Sequence, residues 1–169
     1  MRCLRLLSTR AKARVTDALL SQLEGVCNRV TTNASILSRH GDDESYHPAV
    51  PPEAVAYARS TEEVVAVVRA CAETRTPLIP FGAGTSLEGH IQATDGGVCL
   101  DLSEMNEVLQ VNDEDMDCRV QAGVTRLRLN EELRATGLHV SQRQSKSRAL
   151  PLILTQPYPK PKPRPCPQP

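Results

Sequence analysis

The chain has 169 residues, 40% of them apolar, with one Phe, three Tyr, no Trp and a formal net charge of zero. That length suits one domain of ordinary size, whose core must come from Val, Leu, Ala and Ile rather than from aromatic rings. No apolar run approaches the ~20 residues of a bilayer-crossing helix, so no membrane span is expected.

Charge is unevenly spread along the chain. Residues 1–16 carry +5, residues 133–169 carry +7, and the segment between them carries −12. A middle that acidic does not suit a nucleic-acid surface. It suits a protein that holds one anion in a local nest of donors. The six cysteines, at positions 3, 27, 71, 99, 118 and 166, include no C-x-x-C pair, so no zinc or dithiol site is expected. Cys71 and Cys99 lie in apolar runs and read as small buried hydrophobes.

Taken in chain order, residues 1–15 read as a mitochondrial transit segment. They hold Arg2, Arg5, Arg10, Lys12 and Arg14, with Ser8 and Thr9, and no acid appears before Asp17. Leu4, Leu6 and Leu7 add the apolar component. An ordinary basic N-terminus is the alternative. Val15, Leu19, Leu20, Leu23, Val26 and Cys27 recur at helical spacing and predict an amphipathic helix over about 16–29. Residues 38–53, with Gly41, Pro48, Pro51 and Pro52, are expected to be irregular chain. His40 and His47 flank Asp42, Asp43 and Glu44. A metal site there is conceivable, but nothing fixes its geometry, and these are expected to be exposed loop residues.

Ser60-x-x-Glu63 is a capping box. Val64, Val67, Val68 and Cys71 then mark one helical face, and Pro77 places the helix end near Arg75. Leu78-Ile79 reads as a short strand. Val98, Leu100 and Leu102 alternate with Cys99 and Asp101, a strand signal, and Val108–Val111 and Arg119–Ala122 are two more strands. Short strands one turn apart imply an antiparallel or mixed sheet. Thr125 can cap a helix bearing Leu129 and Leu133, with Gly137 as its stop.

The stretch Pro80-Phe81-Gly82-Ala83-Gly84-Thr85-Ser86-Leu87-Glu88-Gly89 is the most informative in the chain. Three glycines free the backbone to aim N–H groups at one anion, and Thr85 and Ser86 add hydroxyl donors. A pyrophosphate is the natural guest, and a plain glycine-rich turn is the alternative. A Rossmann fingerprint would need Gly where Leu87 stands, and a Walker loop would need Lys where His90 stands. Gly89, Gly96 and Gly97 also oppose the helix that a Rossmann loop would open.

The spacing G-x-G-T-S-x-x-G after Pro-Phe resembles the first pyrophosphate loop of the PCMH-type flavin domain of the vanillyl-alcohol-oxidase family. The flanking text Gly96–Ser103, Met105-Asn106 and Val120–Thr125, with His40–His47 upstream, is similar to the mitochondrial D-lactate dehydrogenase and glycolate oxidase group. The resemblance covers about residues 15–139. One departure is Ala58, where that group usually carries proline.

This resemblance implies an α+β fold: the N-terminal part of a two-subdomain PCMH-type FAD-binding domain, with short strands and flanking helices. It implies FAD as cofactor, with Gly82, Ala83, Gly84, Thr85, Ser86 and Gly89 as the pyrophosphate cradle and no catalytic residue in this stretch. Glu88 reads as a solvated loop acid, with a local structural hydrogen bond as its alternative role. In a complete family member the partners would be a small 2-hydroxy acid and an electron acceptor, and the location mitochondrial. The domain part is expected over 16–139. Residues 140–169 hold eight of the 13 prolines and are expected to be a disordered, basic, Pro-rich tail without strands or helices. The second glycine-rich stretch and the substrate domain of the group have no counterpart here. A truncated product is therefore expected, marginally stable and weak in FAD binding; a non-catalytic product without flavin, acting through protein contacts, is the alternative function.

Overall fold

A computed structural model of the chain describes residues 14–140 and a two-residue strand at 154–155. The transit reading of residues 1–15 and the tail reading of 140–169 lie almost wholly outside the described residues.

Helix α1 spans Asp17–Val26, shorter than the expected 16–29. The Thr16 hydroxyl caps it by accepting from the Leu19 N–H, and Asp17 puts a negative charge in its first turn, where the helix dipole favours one. Strand β1, Arg29–Thr31, and helix α2, Ala34–His40, follow. Neither was predicted. Asn33 caps α2 by accepting from the Ser35 N–H. Irregular chain begins only after His40. Strand β2 is Ala54–Tyr57.

Helix α3 spans Thr61–Thr74 and matches its predicted signals at both ends. The Ser60 hydroxyl accepts from the Glu63 N–H, while the Glu63 carboxylate accepts from the Arg59 N–H at 2.8 Å. Arg75 takes a left-handed conformation, φ 53°, which stops the helix ahead of Pro77. Strand β3 is Leu78–Phe81 and β4 is Val98–Asp101.

Strands β1 to β4 form one mixed sheet in the order β1-β2-β4-β3. β1 runs antiparallel to β2, and both β2 and β3 run parallel to β4. Every residue of β2 and of β4 is buried, because the sheet is covered on both faces. Ala56, Val98 and Leu100 face Leu19 and Leu23 of α1 and Val67 and Cys71 of α3. Val55, Tyr57 and Cys99 face the other way, against Ile36, Leu37 and Phe81. The predicted alternation of β4 therefore has no solvent side, and Asp101 is a core residue.

The sheet is mixed, as expected, but the strands after β4 do not join it. Strands β5, Val108–Asn112, and β6, Asp117–Val120, form their own antiparallel hairpin. It packs with Leu129 of helix α4, Arg126–Glu132, and with Leu133, Leu138 and Val140 in a second core. Thr125 caps α4 as predicted, and Gly137 turns the chain at φ 75°. Strand β7, His139–Val140, pairs antiparallel with β8, Leu154–Thr155. β8 falls in a segment expected to hold no strand. Leu154 and Thr155 fall in the gap between Pro151 and Pro157, where the sequence keeps its ladder donors. Among the described residues no helix is long and apolar enough to cross a membrane.

Candidate functional site

Parallel strands place their carboxyl ends on one edge, and such an edge is where open α/β sheets bind ligands. Here Tyr57, Asp101 and Phe81 end β2, β4 and β3 side by side, in register across the sheet. The chain leaving Phe81 is the glycine-rich loop, so the sheet itself delivers that loop to the edge.

Two clefts meet there and share Gly82, Ala83 and Ser103. One, of about 500 Å³, is lined by Gly82, Ala83 and Thr85 with Glu44, Ser103, Gly123 and Thr125. The other, of about 560 Å³, adds Gly84 and reaches Arg29, Arg39, His40, Tyr57 and Asp101. A larger hollow of about 700 Å³ lies between α1 and α3, lined by Ser21, Gly25, Val65 and Arg69 among others. It contains no residue of the loop.

The predicted cradle residues divide into two roles. Gly82 and Ala83 are exposed to the clefts, and a Cβ on Gly82 would meet nothing within 4 Å. Gly84 and Gly89 have φ of 66° and 67°, the left-handed region that side chains resist. A Cβ on Gly84 would come within 2.9 Å of the Phe81 ring, and one on Gly89 within 2.6 Å of the His47 ring. These two glycines thus fix the ends of the turn that carries Thr85 and Ser86. The Ser86 hydroxyl accepts from the Glu88 N–H at 3.2 Å and lies 2.7 Å from Nδ1 of His90. It shapes the loop from within. Glu88 is exposed.

Three contributors were not foreseen as site residues. Ser103 follows β4, and Gly123 and Thr125 form the opposite wall. Gly123 packs against the carbonyls of Leu102 and Met105 so closely that a side chain would not fit, and its N–H donates to the Met105 carbonyl at 2.8 Å. The run Val120–Thr125 carried this signal, but nothing in it located the glycine beside the loop.

His40 departs furthest from expectation. It is not an exposed loop residue but 8% exposed, and Asp101 is 4% exposed. Nδ1 of His40 lies 2.8 Å from the Ile36 carbonyl and Nε2 lies 2.8 Å from Oδ2 of Asp101. The other carboxylate oxygen accepts from the Ser103 N–H at 2.7 Å. Burial alone lowers the affinity of His40 for its proton, but the bonds to Asp101 and Ile36 outweigh it and raise the pKa. Burial likewise raises Asp101, and the hydrogen bonds from His40 and Ser103 overcome it and hold the pKa below the usual carboxylate value. The pair is a buried ion pair. Among the described residues no group of three or more His, Cys, Asp or Glu could hold a metal ion.

The site fits an extended anion such as a dinucleotide pyrophosphate. Its loop offers backbone N–H groups with no Cβ in the way at Gly82 and Gly84. Beside Gly89, Nε2 of Gln92 is a buried donor without a hydrogen-bond partner.

Residues 52–148 match the family model described as an FAD binding domain. Over 130 residues the chain is 42% identical to the probable mitochondrial D-lactate dehydrogenase of Danio rerio, covering 76% of this chain and 26% of that protein. It is 41% identical over 128 residues to the mitochondrial D-lactate dehydrogenase [cytochrome] of Arabidopsis thaliana, covering 74% and 23%. The chain thus spans about a quarter of the length of the curated relatives it matches. Among solved structures, alkyldihydroxyacetonephosphate synthase superposes with a TM-score of 0.67 at 20% identity, over 75% of this chain and 26% of that one; it shares the fold. The chain belongs to the FAD-binding domain family, and FAD is the cofactor of that domain.

Proposed function

We propose that this chain is part of the FAD-binding domain of a flavin-dependent D-2-hydroxyacid dehydrogenase of the D-lactate class, and that the Gly82–Gly89 loop holds the FAD pyrophosphate. One observation carries the reading. A loop with two left-handed glycines leaves the carboxyl edge of a parallel strand pair and opens onto two clefts at that edge. Backbone amides of Gly82, Ala83 and Gly84 supply donors at close range, and the Thr85 side chain lies on the cleft wall. Ser86 and Gly89 set the loop's shape, and Gly123 lies on the opposite wall. When bound, the flavin supplies hydride chemistry toward a small 2-hydroxy acid and passes electrons to an acceptor. This stretch contributes binding and orientation to that chemistry.

Titration of the isotope-labelled chain with FAD, followed by amide NMR, reads even weak binding. The amides of Gly82 to Gly89 should move first and most. Gly84→Val should abolish these shifts, because a branched side chain would be forced into the Phe81 ring at a left-handed φ. Unchanged FAD shifts in that variant, or shifts confined to the α1–α3 hollow, would overturn the assignment.

Residues 1–15 act in the same reading as a mitochondrial targeting segment, supported by the mitochondrial names of the relatives. Replacing Arg2, Arg5 and Arg10 with Glu should abolish import of a fluorescent fusion, since acid-free basic character is what the signal consists of. A fusion that still reaches mitochondria would refute this.

A further inference from the structure

The glycine turn rests against a chain of three rings whose middle member is His40. Gly84 sits against the Cζ end of the Phe81 ring, with no room for a Cβ between them. The Phe81 ring lies 4.4 Å from the His40 ring, tilted by 44°. His40 in turn meets the edge of Tyr57 at 5.9 Å. Its two ring nitrogens each face an oxygen at 2.8 Å, one a carbonyl and the other a carboxylate. With Asp101 ionised, the carbonyl and the carboxylate only accept, so both nitrogens carry hydrogen. The ring is therefore an imidazolium whose orientation is fixed from both sides, from α2 and from β4.

We propose that His40, acting as this fixed imidazolium, is the positioning residue that props Phe81 beneath the Gly82–Gly84 turn and couples anion binding in the turn to the protonation of the ring. It rests on the reading of the loop as a pyrophosphate site. Removing the Nε2 proton puts two acceptors face to face across 2.8 Å, which the buried pair cannot accommodate without moving. The ring then shifts, the support of Phe81 changes, and the cleft loses one positive charge. The charged and titratable groups around His40 are Asp101 from β4 and Arg39 beside it on α2, with Tyr57 from β2, Arg29 from β1 and Asp42 just after α2 lining the same cleft. Arg29 is occupied elsewhere. Its guanidinium lies 3.6 Å over the Tyr57 ring and 3.3 Å from the Glu104 carboxylate. Asp101 is thus the direct ionic partner of the imidazolium.

The test uses the 169-residue chain labelled with nitrogen-15 and watches the histidine ring nitrogens and the loop amides together. At pH about 6.5, the ordinary histidine value, His40 should read as more than half protonated, with hydrogen on both ring nitrogens. As pH rises further, the amides of Gly82 and Gly84 should shift along the same titration curve as that ring. The His40→Gln variant should lose this pH dependence and bind FAD about tenfold more weakly. A neutral His40 ring at that pH, or glycine amides that ignore its titration, would overturn the proposal, and neither readout needs a variant that folds or any flavin. If FAD shifts the loop amides of the wild type and of His40→Gln equally, at equal affinity and with the same pH dependence, the positioning role falls while the loop reading stands. If FAD leaves the wild-type loop unmoved, the loop reading falls and the proposal falls with it, whatever the ring titration shows.

Discussion

Gly97→Ala is expected to destabilise the chain by about 4 kcal/mol or more, among the largest effects a single methyl group can have. Gly97 lies at φ 103°, and the preceding Gly96 at φ 76°. Side chains resist this backbone region. Space is also lacking: a Cβ would fall on the carbonyl oxygen of Pro77. That carbonyl cannot yield cheaply, because it accepts the Val98 N–H at 2.9 Å and opens the β3–β4 ladder. The other side is equally committed. Glu53 donates its N–H to the Gly97 carbonyl at 2.9 Å, and its carboxylate holds the Val15 N–H at 2.8 Å. Relief would require β4, the strand between β2 and β3, to draw away from a neighbour. A loss of that size takes much of the ~5–15 kcal/mol by which a domain is stable. Gly25 is the control. It lies inside α1 with nothing within 4 Å of its Cβ position, so Gly25→Ala should stabilise by about 0.5–1 kcal/mol. Urea unfolding followed by circular dichroism reads both. Equal midpoints for Gly97→Ala and wild type would mean that β4 does not start where described.

The contrast between these glycines illustrates what the sequence could and could not tell. Features set by neighbours along the chain were legible. Ser60 and Glu63 announced the start of α3, Pro77 its end, and Thr125 the start of α4. The glycine turn after β3 was legible for the same reason, since its glycines are consecutive text. Features set by burial on both sides were not. Ala54–Tyr57 follows two prolines and has no alternation, because a covered parallel strand presents no solvent face. Ala34–His40 is seven residues long and mostly polar, too short for a helical period to stand out. Asp101 looked like the outward residue of an alternating strand, and the helix above that face was the one that went unseen. His40 and Asp101 are 61 positions apart. Nothing in either segment names the other, so the pair that underlies the loop could emerge only from the fold. The same holds for Gly123, whose place beside the loop follows from the path between two separate sheets.

Asp101→Asn is expected to cost about 3 kcal/mol near neutral pH, the low end of the cost of breaking a buried ion pair. The side chains of His40 and Asp101 are 10% and 5% exposed, so solvent screens their interaction little. The amide keeps the acceptor for the Ser103 N–H. It also presents N–H to Nε2 of His40, so the ring can shed its proton and accept instead, which limits the damage. The sign of the pH dependence follows from the two shifts. His40 binds its proton more tightly when folded than its ordinary value of 6.5. Its contribution is complete below that value and is lost as pH rises through the raised one. Asp101 is held below its ordinary value of 3.8. Its contribution is complete above that value and is lost as pH falls through the lowered one. The stability difference between wild type and Asp101→Asn should therefore be largest at mildly acidic pH, between about 4 and 6.5, and persist upward until His40 deprotonates. It should shrink on both sides. Taking the difference removes titrations that the two proteins share. Urea midpoints measured across that range decide the matter: a difference that does not vary with pH would mean that the pair is held by a neutral hydrogen bond, and that the ring beneath the glycine turn carries no charge.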